Sequence, residues 1–122
     1  MDEEHSVTVK SEVDVITARM YVRDVARGLG MNLGDQARIS LAASSLAHAI
    51  GLGRTHQGQI EISCVHERDD ARVGVQVICI RIGLPCTLEA GRLGEARWMV
   101  DELMVEERPP DELQVTVIKW LV

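Results

Sequence analysis

The sequence predicts an α/β two-layer sandwich: a mixed sheet, mostly antiparallel, with three helices on one face. Three observations carry this. Apolar residues alternate in five short segments and recur at three- and four-residue steps in three longer ones. The segments follow the order β-α-α-β-β-α-β-β, which layers most simply as antiparallel strand pairs beneath a helical layer. The chain has 122 residues, 46% of them hydrophobic, with no repeat, linker or low-complexity run. That is enough to build one core, so residues 1–122 are expected to form a single domain. Phe is absent, so the core must be aliphatic.

The elements follow in order. Ser6 to Lys10 alternate, with Val7 and Val9 on one face, as in a short strand. Ser11 and Asp14 form an S-x-x-D start signal. Val15, Ala18, Val22, Val25, Ala26 and Leu29 then mark a helix that Gly28 and Gly30 end. Asp35 is the expected N-cap of a second helix. Its apolar face is Ile39, Ala42, Ala43, Leu46, Ala49 and Ile50, and Gly51 and Gly53 stop it. After a polar loop at Arg54 to Gly58, Gln59 to Val65 alternate with Ile60, Ile62 and Cys64 inward. A charged turn, His66 to Asp70, leads to a strand from Arg72 to Ile82. Both of its faces are apolar over Val77 to Ile80, which predicts a central strand covered in part on both sides. Gly83-Leu84-Pro85 breaks it. Leu93, Ala96, Val100 and Leu103 mark a third helix. An edge strand around Val105, a Pro109-Pro110-Asp111 turn and a strand from Leu113 to Leu121 complete the chain.

Composition excludes several function classes. The net charge of −6 is the wrong sign for a phosphate backbone, and three aromatic residues cannot make a base-stacking platform, so nucleic acid is not an expected partner. The longest stretch free of Asp, Glu, Lys and Arg, Ile39 to Gly53, is too short to span a bilayer, and the acidic start is unlike a signal peptide. Cys64, Cys79 and Cys86 are odd in number and lack C-x-x-C spacing, as expected for reduced, buried thiols in a cytoplasmic protein.

Four segments carry a family resemblance. They are Asp14-Val15-Ile16 and Ala18-Arg19 running to Gly28-Leu29-Gly30; Asp35-Gln36-Ala37-Arg38-Ile39 leading into Ala43-Ser44-Ser45-Leu46-Ala47; the strand pair at 59–82; and Val100-Asp101-Glu102-Leu103 running to Val115–Trp120. In this order and spacing the chain resembles the serine/threonine switch kinases of bacterial partner-switching systems. These form the anti-sigma-factor and stress-regulatory branch of the histidine-kinase-like (GHKL) ATPases. The resemblance implies the histidine-kinase-like ATPase fold with a shortened lid.

The departures from the family pattern define the candidate site. The family's nucleotide site needs a helical Glu, the candidate general base, and four residues on an Asn that holds Mg²⁺ on the phosphates. Those positions are Ser45 and Ala49. Ala49 offers a hard cation no oxygen, and Ser45 is not a carboxylate base. The family's Asp-x-Gly-x-Gly, whose Asp reads the adenine amino group, is here Arg81-Ile82-Gly83-Leu84-Pro85, and only Gly83 survives. Of the glycine-rich lid only Cys86 to Gly94 remain, with Gly91 and Gly94 as remnants. Gly91-Arg92-Leu93-Gly94 reads better as a turn feeding a helix than as a phosphate loop.

Arg19, Arg23 and Arg27 stand at i, i+4 and i+8 on the first helix, a basic stripe on an acidic chain. It is either a solvated face or a docking stripe for an acidic partner surface. Cys64 and His66 share a strand face without a second ligand pair, so no metal is expected. His48 is expected to be exposed. Ser44-Ser45 lacks a nucleophile elbow. The expected function is partner-switching regulation by protein–protein binding with a lost nucleotide site and no cofactor. The expected partner is an anti-sigma antagonist domain, a sigma factor or a phosphatase, with a homodimer as a further option. The alternative is an active ATP- and Mg²⁺-dependent serine/threonine protein kinase, and a third reading is a structural dimerisation domain.

Overall fold

The computed structural model describes residues 4–67, 69, 71–83, 90–108 and 111–121. Strand β1 (Glu4–Val9) leads to helices α1 (Glu12–Gly28) and α2 (Leu33–Ala49). Strands β2 (Gln57–Glu67) and β3 (Arg72–Ile82), helix α3 (Ala90–Met99), and strands β4 (Glu102–Arg108) and β5 (Glu112–Trp120) follow. The strands lie in the order β1-β2-β3-β5-β4.

Local chemistry sets the helix ends. At α1 the Asp14 carboxylate accepts the backbone N–H groups of Lys10 (2.8 Å) and Ser11 (3.2 Å), closing the expected start signal. Gly30 takes φ +88°, and Met31 N–H donates to the Ala26 carbonyl at 3.1 Å, a glycine-closed C-terminus. Helix α2 starts earlier than expected. Asn32 is its N-cap, accepting from Asp35 N–H at 2.8 Å, so Asp35 is the third helical residue and not the cap. An amide oxygen caps as well as a carboxylate, and Asn32 sits closer to the glycine-ended turn.

Glu12 Oε1 at the start of α1 lies 4.0 Å from His48 Nε2 in the last turn of α2, so the two helices run antiparallel. A strand, two antiparallel helices and a further strand bring the chain back reversed, which is why β2 pairs antiparallel with β1. All four strand pairings are antiparallel, where the sequence suggested a mixed sheet. The β3-α3-β4 crossover would ordinarily place parallel neighbours. Here β5 lies between β3 and β4 and runs antiparallel to both.

The core fills the space between sheet and helices. Val7, Val9, Ile60, Ile62, Val75, Val77, Cys79, Leu113, Val115 and Val117 face Val15, Ala18, Val22, Val25, Ile39, Ala42, Ala43 and Leu46. Small alanines on α2 let it sit close to its neighbours, and it packs against both α1 and α3. The predicted central strand is β3, flanked by β2 and β5. On the other sheet face Thr116, Ile118 and Trp120 are also buried. Side chains cover Trp120 there: its Nε1 donates to Glu102 at 2.6 Å, and the Arg72 guanidinium lies 4.3 Å over the indole.

Leu103 and Val100 are not helical. Helix α3 ends at Met99, Asp101 N–H donates to the Ile118 carbonyl (3.0 Å), and Leu103 pairs with Val117 inside β4. The three-residue step from Val100 to Leu103 imitated a helical period across a helix–strand junction. The Pro109-Pro110 turn, Pro85 and Cys86 lie outside the described residues.

Candidate functional site

Two regions gather the residues singled out in the sequence. The first is the outward side of α1. Val15, Ala18, Val22, Val25 and Ala26 form its buried face. At about 100° per residue, the side directly opposite carries Val13 and Met20, with Ile16 beside them. These are 66%, 63% and 55% exposed. A solvated helix puts polar residues there, and α1 does so only in its second half, with Arg23, Asp24 and Arg27. Of the predicted stripe, Arg27 pairs with Asp24. Arg19 and Arg23 make no ion pair among the described residues, so their guanidinium donors remain available beside the apolar ridge. The sequence search registered the arginines and missed the ridge. The signal was present: Val13, Ile16 and Met20 fall at i, i+3 and i+7 but off the core face.

The second region is the corner where α2 ends above the end of β3. Ser45 is half-buried on α2, and Ala49, one turn later, is buried. Arg81 reaches the same corner from the sheet. It is 5% exposed, and its Nη1 donates to the Ile50 carbonyl at 3.3 Å. The charge therefore sits at the carbonyl end of α2, where the helix dipole favours a cation. Gly83 follows at φ +119°, a conformation that needs glycine, and its N–H donates to the Asp111 carbonyl at 3.0 Å. Gly91 and Gly94 are not in a loop; they lie within α3. The structure thus brings Ala49 and Arg81 together and places Gly91 and Gly94, expected as lid remnants, in a helix.

A polar cluster that the sequence did not disclose bridges the helices nearby. Arg54 Nε donates to Glu12 Oε1 at 2.5 Å. His48, expected to be exposed, is half-buried between Glu12 and Arg92, whose Nη1 lies 3.5 Å from His48 Nδ1. The Arg54 hydrogen bond and charge hold the Glu12 carboxyl below the usual carboxylate range. No spacing rule could have found these contacts, because Arg54 is 42 residues from Glu12.

Among the described residues no group of three His, Cys, Asp or Glu is placed to hold a metal ion. Among the same residues no helix is long and apolar enough to cross a membrane. Cys64 and Cys79 are free thiols, and burial pushes the Cys79 thiol up to about 12. A concavity of about 460 Å³ beside the β1–β2 pairing is lined by Glu4, Ser6, Glu61, Ser63 and Gln76 and holds none of the candidate residues.

No protein-family model matches the chain. It is 32% identical to the serine/threonine-protein kinase RsbT of Bacillus subtilis (strain 168), over an alignment of 136 positions that covers 99% of each chain. Since this chain has 122 residues, at least fourteen of those positions have no residue here.

Proposed function

The chain belongs to the partner-switching serine/threonine kinase family, and from that premise we propose that it regulates by binding a protein partner through the outward side of α1, with a nucleotide site that no longer works. The observation that carries this is the exposed Val13-Ile16-Met20 ridge beside Arg19 and Arg23, which make no ion pair among the described residues. A ridge of this kind gains free energy only when something covers it. The arginines select a partner whose contact surface carries carboxylates. In keeping with the family, that partner is an anti-sigma antagonist domain, a sigma factor or a phosphatase, met in the cytoplasm.

The loss of nucleotide chemistry rests on the second region. Mg²⁺-ATP needs an oxygen ligand where Ala49 presents a methyl group, and a carboxylate base where Ser45 stands. An adenine amino group would meet another donor, Arg81. Gly94 spends its backbone N–H inside α3, and Gly91 stands in the first turn of that helix. RsbT's own description as a kinase favours the second reading, an active ATP-dependent serine/threonine kinase.

Calorimetric titration with Mg²⁺-ATP at millimolar concentration separates the two. We expect a flat titration and no shift in thermal unfolding. Micromolar binding, or phosphate transfer to a partner serine, overturns the nucleotide-free reading. A pull-down from the native cytoplasm, followed by binding measurements on the purified partner, tests the docking surface. Undiminished binding by an Ile16→Asp/Met20→Asp variant overturns the assignment to α1.

A further inference from the structure

We propose that the open edge of β4 pairs antiparallel with β4 of a second copy of this chain, in a single register centred on Val105. The proposal does not rest on the docking role of α1, which packs over β1, β2 and β3, away from this edge.

Hydrogen bonds alternate along β5. Leu121 N–H donates to the Val73 carbonyl at 2.8 Å and Gly83 N–H donates to the Asp111 carbonyl at 3.0 Å, so odd-numbered positions along β5 bond to β3. The Ile118 carbonyl accepts Asp101 N–H at 3.0 Å, so even-numbered positions face β4. By the strand register, Glu102, Met104, Glu106 and Arg108 are bonded to β5, and Leu103, Val105 and Glu107 turn their N–H and C=O groups outward. Among the described residues no strand takes these groups up. The same edge leaves apolar surface bare. Trp98, Met104 and Val105, on or just before this strand, are 91%, 46% and 42% exposed. At the opposite edge of the sheet, Val7 and Val9 of β1 are buried.

A second copy fits because the charges of β4 are self-complementary in one register. The outward groups all belong to odd-numbered residues, so two such edges pair odd with odd. That parity keeps both helical layers on the same side of a continuous sheet. Centred on Val105, the pairing sets Val105 against Val105 of the second copy and Leu103 against Glu107 of the second copy. Glu102 meets Arg108 of the second copy at both ends, in the non-hydrogen-bonded positions where side chains come closest. Arg108 is exposed, and Glu102 gives Oε2 to the Trp120 indole, which leaves Oε1 to accept. Centring on Met104 would set Glu102 against Glu106, and centring on Glu106 would set Glu106 against itself. Charges blunt an edge strand towards foreign strands. Those of β4 also exclude the neighbouring registers and leave this one.

Sedimentation equilibrium of the purified chain tests this. We expect the average mass to climb from one chain towards two as concentration is raised to roughly 0.5 mM, as for a small interface. Val105→Pro removes the central outward N–H and no β4–β5 bond, so it should keep the parent's circular dichroism and remain monomeric. Charge exchange tests the register. Glu102→Arg and Arg108→Glu each set like charges opposite one another at both ends, and each alone should dimerise at least about tenfold more weakly than the parent. Mixed in equal amounts they should recover dimerisation, because every end then joins opposite charges. The proposal falls if the parent stays monomeric to that concentration, or if folded Val105→Pro dimerises as the parent does. It falls equally if the mixture dimerises no better than its components, which would place any dimer on another surface or in another register. The mixture decides the matter even if Val105→Pro fails to fold. Partner binding by the Ile16→Asp/Met20→Asp variant is a separate readout, so either proposal can fail without the other.

Discussion

The outward side of α1 and the corner beneath α2 use the same residue type in opposite surroundings. On α1, half-buried Arg19 and exposed Arg23 border three exposed apolar side chains and stay in reach of water. In the corner, Arg81 is stripped of water and pointed at a helix end. A surface arginine without a pair costs nothing and steers encounters. A buried one is costly unless something completes it. The difference teaches that an arginine in this chain has to be read from its burial before its sequence position. An arginine in a stripe at i, i+4, i+8 and an arginine near the end of a strand look alike as letters.

Substitutions on the two sides of the helical layer should separate by the widest margin in stability. Leu46→Ala, on the fully buried face of α2, is expected to lower unfolding free energy by about 2–5 kcal/mol, read by chemical denaturation. Ile16→Ala on α1 should stay within about 0.5 kcal/mol of the parent. Equal losses would mean that the ridge is covered in solution. Binding should invert that ranking. Ile16→Asp with Met20→Asp is expected to weaken the purified partner's affinity by about 30-fold or more, as for the centre of an interface, with Leu46→Ala near neutral if folded.

Charge reversal of Arg19, Arg23 and Arg27 to Glu should act on encounter more than on lifetime. At low salt, association is expected to slow by roughly tenfold and its salt dependence to flatten, measured by stopped flow. An unchanged association rate in a folded variant would leave the ridge as the sole docking element. The smallest effect concerns the core beneath both regions. The Cys79 thiol is raised to about 12 from an ordinary 9.0, so its contribution is complete below pH 9. It fades as pH climbs from about 9 to 12, because the unfolded chain gives up that proton first. The alkaline decline in Tm should therefore be shallower in Cys79→Ala. In the folded parent, thiol reagents should label Cys79 slowest; rapid labelling would contradict its place on the inner face of β3.

Much of the fold was legible because its signals are local. Val7 and Val9, Ile60 and Ile62, and the Ser11/Asp14 start of α1 each declare their element within a few residues. Asn32 was passed over as a cap because Asp35 has a similar side chain three residues on. Leu103 was misplaced because two elements meet where their periods coincide. Of the candidate site, the family pattern singled out Ala49, Ser45 and Arg81 as expectations, because such a pattern is written in order along the chain. It could not tell that Arg81 is buried against the Ile50 carbonyl, or that His48 lies between Glu12 and Arg92. Those are contacts between distant segments, fixed only when the layers close.

The position of β5 has a consequence for how the chain comes off the ribosome. Strand β4 is synthesised first but lies outside β5, its one neighbour in the sheet among the described residues. Until Glu112 to Trp120 have emerged, β4 has nothing to pair with, and β3 presents a bare edge of backbone donors and acceptors. A chain that has emerged only as far as Arg108 would therefore hold two unsatisfied strands at once, a state in which recruitment of a chaperone or adhesion to another chain competes with completion.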